Sequence, residues 1–381
     1  MKLLIDWSVL CHIAWHKMSS PNYEARTNIE QAEFARNLAG ALVYFFDRFR
    51  PSEIIFALDG KSYWRKEVYG KHYAQQAKVY RVMAQTEEGL REVHYLCYDT
   101  KVYRLDYHDG MGKYLQTKLK KQEAEDAMVQ EGITLLPREG IPYQILDLFP
   151  TYKGSRKDSK WDYSTTKDEF KALSRKIANN LAGTLGARVV LIEDAEADDI
   201  AAVYKTLNAG SEMIFLTTDS DWLQLKCKSF PGPLLILNPL KMEWVDVSPD
   251  QAAIDLAVKL ISGDSSDGIA GLRTKEGTTL IGPKAAENLV LEFGIPRIYR
   301  HLEEIIPEDL LKFNLRMIFL KNTPKNIKEA ILTCLKNPMD YKKPTHPLQD
   351  YGLERADTIS IKAAADEARA SDIEEGIYAE E

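Results

Sequence analysis

Nine acidic residues stand where they could do metal-dependent chemistry: Asp6, Asp59, Glu196, Asp198, Asp199, Asp219, Asp221, Asp264 and Asp267. Asp6 and Asp59 each close a short apolar run, KLLID and EIIFALD. Glu196, Asp198 and Asp199 lie in EDAEADDIAA, at the start of an expected helix. Asp219 and Asp221 are two apart in TTDSD, a spacing that in extended backbone points both the same way. Asp264 and Asp267 are three apart in GDSSD, which on a helical turn again gives one face. Carboxylates gathered in such number repel one another, and hard divalent cations that prefer oxygen ligands relieve the repulsion. Two such ions roughly 3.5–4 Å apart can clamp the attacking and leaving oxygens of an in-line displacement at phosphorus. Each acid alone has a blander reading, as a helix cap, a dipole partner or a solvated turn. The metal reading rests on their joint placement.

The elements that must hold these acids read as an α/β fold. KLLID (2–6), EIIFALD (53–59), ARVVLIE (187–193) and EMIFLTTD (212–219) are apolar runs suited to buried parallel strands, with helical segments between them. Residues 29–50 carry Phe34, Leu38, Leu42, Phe45, Phe46 and Phe49 at helical spacing. Acids at the carboxyl ends of such strands stand where open α/β sheets place their ligands. The expected organisation is an α/β domain over 1–250, a helical region over 251–345 and an acidic tail over 346–381. Within the first, residues of about 70–148 form an insertion with little strand rhythm, rich in tyrosine, lysine and acids. Its interleaved basic and aromatic residues could contact single-stranded nucleic acid, or could be solvated surface over packed tyrosines. QAAIDLAVKLIS reads as a helix running into GDSSD, and Gly282-Pro283 opens another over 281–293.

Bulk properties narrow the function class. Cys11, Cys97, Cys227 and Cys334 form no CxxC pair, and no HExxH spacing occurs, which excludes a zinc-knuckle or disulfide framework. No run approaches the roughly 18 apolar residues of a membrane span, and the N-terminus lacks signal-peptide character, so a cytoplasmic protein without membrane contact is expected. The net charge of −7 is concentrated in residues 350–381, with ten acidic and three basic side chains. The remainder is formally neutral, so acids drawn into one site would leave a basic surface around it, suited to a phosphate backbone.

The order of these motifs resembles the 5′-nuclease superfamily of flap endonucleases and bacteriophage 5′-3′ exonucleases, whose PIN-like domain is followed by a helix–three-turn–helix. Asp6 and Asp59 match its strand-end aspartates, Glu196-Ala197-Asp198-Asp199 its ExDD motif, and Thr218-Asp219-Ser220-Asp221 its TxDxD-like stretch. Gly263-Asp264-Ser265-Ser266-Asp267 and Ile281-Gly282-Pro283-Lys284 match the segment that leads into the helix–three-turn–helix, here with a longer loop over 272–280. The resemblance covers about residues 1–69 and 149–295. It implies a parallel-sheet nuclease fold and hydrolysis of DNA or RNA–DNA hybrid near a free 5′ end or 5′ flap, with two Mg²⁺ ions or Mn²⁺ in their place. It further implies that Asp59, Glu196 and Asp198 hold one ion and that Asp219, Asp221, Asp264 and Asp267 hold the other, with Asp6 and Asp199 orienting ligands. Lys153 would contact the scissile phosphate, so that Lys153, Asp59, Asp219 and Asp221 carry catalysis. Arg65, Tyr152, Arg156, Gly282 and Lys284 would bind the nucleic acid, with Tyr152 stacking on a terminal base.

Two other functions stay open on the sequence. A PIN-type ribonuclease shares the acidic sheet, and a branched-DNA-binding protein without catalysis could share the helical region. The acidic tail could dock a replication protein, and a viral replication setting would suit the resemblance to phage enzymes.

Overall fold

The computed structural model describes residues 1–17, 28–86, 89–98, 101–108, 111–120, 133–146, 148–149, 151–153, 164–273, 281–305 and 308–337. Arg156, most of the 272–280 loop and the acidic tail fall outside these residues. The chain divides into two compact units. The first comprises 1–63, 158–264 and 270–381, and the second comprises 64–157 and 265–269.

Along the chain, β1 (Lys2–Asp6), α1 (Trp7–His16), α2 (Asn28–Phe49) and β2 (Glu53–Leu58) come first. Then follow α3 (Tyr63–Gln76), β3 (Lys78–Thr86), β4 (Gly89–Tyr98), β5 (Lys101–His108), β6 (Lys113–Lys118), β7 (Thr134–Leu135) and a single turn, α4 (Tyr143–Leu146). The chain continues with α5 (Ser164–Leu185), β8 (Arg188–Leu191), α6 (Ala197–Leu207), β9 (Met213–Leu216), a 3₁₀ helix over Ser220–Lys226, β10 (Leu235–Asn238) and β11 (Glu243–Trp244). The last described helices are α7 (Pro249–Ser262), α8 (Pro283–Phe293), α9 (Ile295–Ile305), α10 (Glu308–Ile318) and α11 (Lys325–Lys336).

The first unit is built on a sheet in the order β11-β10-β9-β1-β2-β8, parallel throughout except at the β10–β11 edge. β1 and β2 are buried almost from end to end, as the continuous apolar runs require of parallel strands covered on both faces. Because parallel neighbours need a long crossover, helices α1 and α2 separate β1 from β2. The core joins Leu3, Ile5, Phe56 and Leu58 to Phe34, Leu38, Leu42 and Phe46 of α2, and to Ile177, Leu181 and Leu185 of α5. Trp7 ties two helices to the sheet: its ring stacks on Phe56 at 4.7 Å, and its Nε1 donates to the Ser174 carbonyl at 3.1 Å. A second core in the same unit packs Ala257, Ile261, Ala286, Val290, Ile298 and Leu311 from the helices α7 to α10.

The second unit differs from the expectation of little strand rhythm. It holds a five-stranded antiparallel sheet, in the order β6-β5-β4-β3-β7. Tyr80, Val82, Val93 and Tyr95 are cross-strand partners on one face and cluster with Val102 and Leu119. Val79, Leu96 and Leu105 are fully buried, and by strand alternation they belong to the other face. Apolar residues on both faces, with basic residues between them, break the alternation that marks a one-sided strand in sequence.

Candidate metal centre

Strand register levels the carboxyl ends of the central strands. Asp6 is paired with Ala57, and Ile5 with Leu216, so Asp59 and Thr217 emerge just beyond the same edge. Asp6 caps α1: its Oδ1 accepts from Val9 N at 3.2 Å and from the Ser8 hydroxyl at 2.9 Å. Its Oδ2 accepts from the Thr217 hydroxyl at 2.9 Å. The carboxyl is 4% exposed, and burial, with the Asp59 charge in support, pushes it up to about 7 against those hydrogen bonds.

Asp59 is exposed, and its Oδ1 accepts from Ala197 N at 2.9 Å, the first residue of α6. Gly60 allows that approach: a Cβ there would lie 2.1 Å from the Ile192 carbonyl and 2.6 Å from that of Glu193. Arg175 of α5 donates to the Asp59 carbonyl at 3.1 Å, which puts a guanidinium beside this loop.

The ExDD motif divides its duties. Glu196 is the N-cap of α6 and forms a capping box with Asp199. Asp199 is wholly buried, accepting from Glu196 N at 3.1 Å and from the Thr323 hydroxyl at 2.7 Å. Asp198 faces the other way and accepts from Trp222 Nε1 at 2.7 Å.

Asp219 and Asp221 come together through a cap, where extended backbone was expected. Asp219 is the N-cap of the Ser220–Lys226 3₁₀ helix, and its Oδ1 accepts from Asp221 N at 2.8 Å. This cap places Trp222 one residue on, in reach of Asp198. One carboxylate oxygen each from Asp198, Asp219 and Asp221 then lies within 4.8 Å of the others. At an effective dielectric constant of about 20, two unit charges about 4.8 Å apart repel by roughly 3.5 kcal/mol. An all-oxygen, anionic donor set of this size fits a hard divalent cation. The trio takes Asp198 from one of the ligand sets implied by the resemblance and Asp219 and Asp221 from the other.

A cation that the sequence reading passed over stands beside the trio. Lys259, in the last turn of α7, forms ion pairs with Asp221 and, at 2.8 Å, with Asp264. Asp264 is 7% exposed. Burial pushes the Asp221 carboxyl up, with Lys259 pulling against it. Burial acts to lower the Lys259 ammonium, but Asp221 and Asp264 outweigh it and hold the side chain protonated. The signal was legible as a lone lysine within the apolar stretch AAIDLAVKLIS.

Asp267 belongs to the second unit, with Ser265–Ile269. Here GDSSD departs from a single helical face: α7 ends at Gly263, whose φ of 79° turns the chain before the second aspartate. Asp267 Oδ2 accepts from the Tyr152 hydroxyl at 2.7 Å and lies 3.9 Å from Lys153 Nζ. Lys153 also donates its backbone N–H to the Asp267 carbonyl at 3.1 Å, from a left-handed φ of 61°. Its ammonium lies 5.0 Å from the centre of the Tyr152 ring. Tyr152 is buried, so stacking on a base would first require its ring to be uncovered. Arg65, expected to bind the nucleic acid, is also buried, with its guanidinium 4.3 Å from the Trp64 ring centre. In the first unit, Gly282 and Lys284 are exposed at the start of α8, with Pro283 as its first residue.

Among the described residues, no helix is long and apolar enough to cross a membrane. No protein-family model matches the chain. A protein of Enterobacteria phage T4 named ribonuclease H is 27% identical over 123 residues, a stretch that takes in 32% of this chain and 38% of that enzyme. The match thus spans well under half of that relative's length. Among solved structures, a bacteriophage T5 flap endonuclease in complex with DNA and metal ions is 15% identical, covering 96% of this chain and 99% of that one, with a TM-score of 0.45. A T5 5′-exonuclease with bound zinc is also 15% identical, at 96% and 100% coverage and a TM-score of 0.42.

Proposed function

We propose that this chain is a metal-dependent nuclease of the 5′-nuclease superfamily, cutting DNA near a free 5′ end or a 5′ flap to leave 5′-phosphate products. The observation that carries the reading is the convergence of Asp198, Asp219 and Asp221 from two separate motifs, the start of α6 and the 3₁₀ helix after β9. The superfamily-like order of the acids supports it, as does the stretch shared with the phage T4 enzyme.

Asp198, Asp219 and Asp221 would hold a divalent ion, Mg²⁺ or Mn²⁺, which when bound supplies Lewis-acid charge to the phosphodiester and to the attacking water. Trp222 fixes the rotamer of Asp198, and the Asp219 cap fixes the approach of Asp221. Asp6, held by Thr217 and the start of α1, keeps its proton until about pH 7 and adds its negative charge to that of the neighbouring acids above it. A second ion is part of the proposal and draws on Asp264. Lys153, Arg65, Tyr152 and Arg156 are the proposed nucleic-acid contacts of the second unit, and Gly282 and Lys284 those of the first. Lys153 is proposed as the residue that stabilises charge on the scissile phosphate.

The name of the phage T4 relative favours a second substrate, the RNA strand of an RNA–DNA hybrid. The deciding experiment is cleavage of end-labelled 5′-flap, gapped duplex, single-stranded DNA and RNA–DNA hybrid, with Mg²⁺ and with EDTA. Mg²⁺-dependent cutting near the 5′ end supports the reading, and the product ladder separates exonuclease from endonuclease action. Asp219→Asn should lower turnover at least about a hundredfold while DNA affinity in EDTA stays near that of the wild type. Tight branched-DNA binding without any cleavage would overturn the enzymatic reading.

A further inference from the structure

The acid cluster of the first unit already contains a cation of its own. Asp221 belongs to the carboxylate trio, yet it also pairs with Lys259, which reaches Asp264 Oδ2 at 2.8 Å. The Lys259 side chain is 27% exposed, that of Asp221 24% and that of Asp264 7%, so all three groups have given up much of their water. A lysine that only decorated the surface would keep its ammonium in solvent, since its stem can reach it. This one turns from the last turn of α7 into the gap between two carboxylates.

We propose that the Lys259 ammonium is a resident counter-cation of the Asp221–Asp264 pair, so that a divalent ion enters between these carboxylates only by displacing it. The inference rests on the metal-centre reading of the trio. Its physical basis is that an ammonium and a divalent ion cannot share one gap between two carboxylates without strong mutual repulsion. A buried ion pair is also costly to break unless the partner left behind finds a new counter-charge. Lys259 reaches both Asp221 and Asp264, so the ion that draws on Asp264 is the one its charge opposes most directly. The chain should therefore bind one divalent ion tightly and a second one weakly, and the weakness is assigned to Lys259.

The test is a titration of Mn²⁺ into the full chain without nucleic acid, following free Mn²⁺ by electron paramagnetic resonance. Wild type is expected to load one tight ion and one weak ion. Lys259→Met keeps most of the side chain's apolar stem and removes its charge, and should tighten the second ion by at least about tenfold. Lys259→Arg keeps the charge and should titrate like wild type. A second ion bound no more tightly by Lys259→Met than by wild type overturns the proposal. Failure of every form to bind any ion would instead bring down the metal-centre reading, and the two failures are therefore distinct. Should Lys259→Met not fold, Asp264→Asn serves in its place. It should abolish the weak ion and leave the tight one, and loss of the tight ion would overturn the assignment.

Discussion

Asp6→Asn should stabilise the protein in the absence of metal, by an amount that depends on pH. Asp6 is 4% exposed, and its carboxyl is raised from an ordinary 3.8 to about 7, chiefly by burial and then by Asp59. The unfolded chain ionises Asp6 above about pH 4, whereas the folded chain holds the proton until about pH 7. The folded state therefore loses stability as pH rises across that window; the cost is absent below it and complete above it. A shift of that size is worth about 4 kcal/mol as a ceiling, at 1.36 kcal/mol per unit. The asparagine should recover part of it, because its Oδ1 can still accept from Val9 N and from the Ser8 hydroxyl. Its amide can donate to the Thr217 hydroxyl oxygen, which accepts from Asp219 N at 3.0 Å and has a second lone pair. A net gain of about 2 kcal/mol at pH 8 is expected, shrinking to well under half of that at pH 5. The assay is urea unfolding of both proteins in EDTA at pH 5, 6, 7 and 8. A gap that does not change with pH, or an asparagine variant less stable than wild type at pH 8, refutes the reasoning. Excess Mg²⁺ should narrow the gap, because a divalent ion among the carboxylates offsets the same charge.

Two more outcomes follow from buried side-chain donors. Trp222→Phe keeps a buried aromatic ring, smaller than the indole, but removes the Nε1 donor to Asp198, and should weaken Mn²⁺ binding by about 10–100-fold. Lys205→Met should cost about 3 kcal/mol or more in thermal unfolding with metal affinity unchanged, because the buried ammonium donates to the carbonyls of Pro231, Gly232 and Pro233 at 2.8, 2.7 and 3.1 Å.

The parallel sheet was legible in the sequence because its strands are covered on both faces, which forces unbroken apolar runs such as LLI before Asp6 and IIFAL before Asp59. The antiparallel sheet of the second unit was not legible, and the reason is chemical. Its strands place Tyr80 and Tyr95 on one face and Tyr107 and Tyr114 on the other, with Arg81, Arg91, Lys101 and Arg104 in between. Tyrosine and arginine both span a buried base and a wet tip, so neither marks a strand face as inside or outside.

At the candidate site, the acids were visible as types and their partners were not. Trp222, Thr217 and Thr323 look like ordinary core and turn residues, yet each donates to an acid of the motifs, namely Asp198, Asp6 and Asp199. Spacing rules predicted that Asp219 and Asp221 would lie together, and the structure brings them together through an N-cap and a 3₁₀ turn. The same kind of rule misjudged Asp264 and Asp267, because it assumed that the helix continues. Gly263 ends α7 one residue before Asp264, which keeps Asp264 in reach of Lys259, four residues back along the helix from Gly263. Asp267 follows in a turn, where it accepts from Tyr152 and pairs with Lys153. The GDSSD motif thus holds two aspartates with different basic partners, Lys259 for Asp264 and Lys153 for Asp267, and as proposed the charge of Lys259 opposes the entry of a second divalent ion.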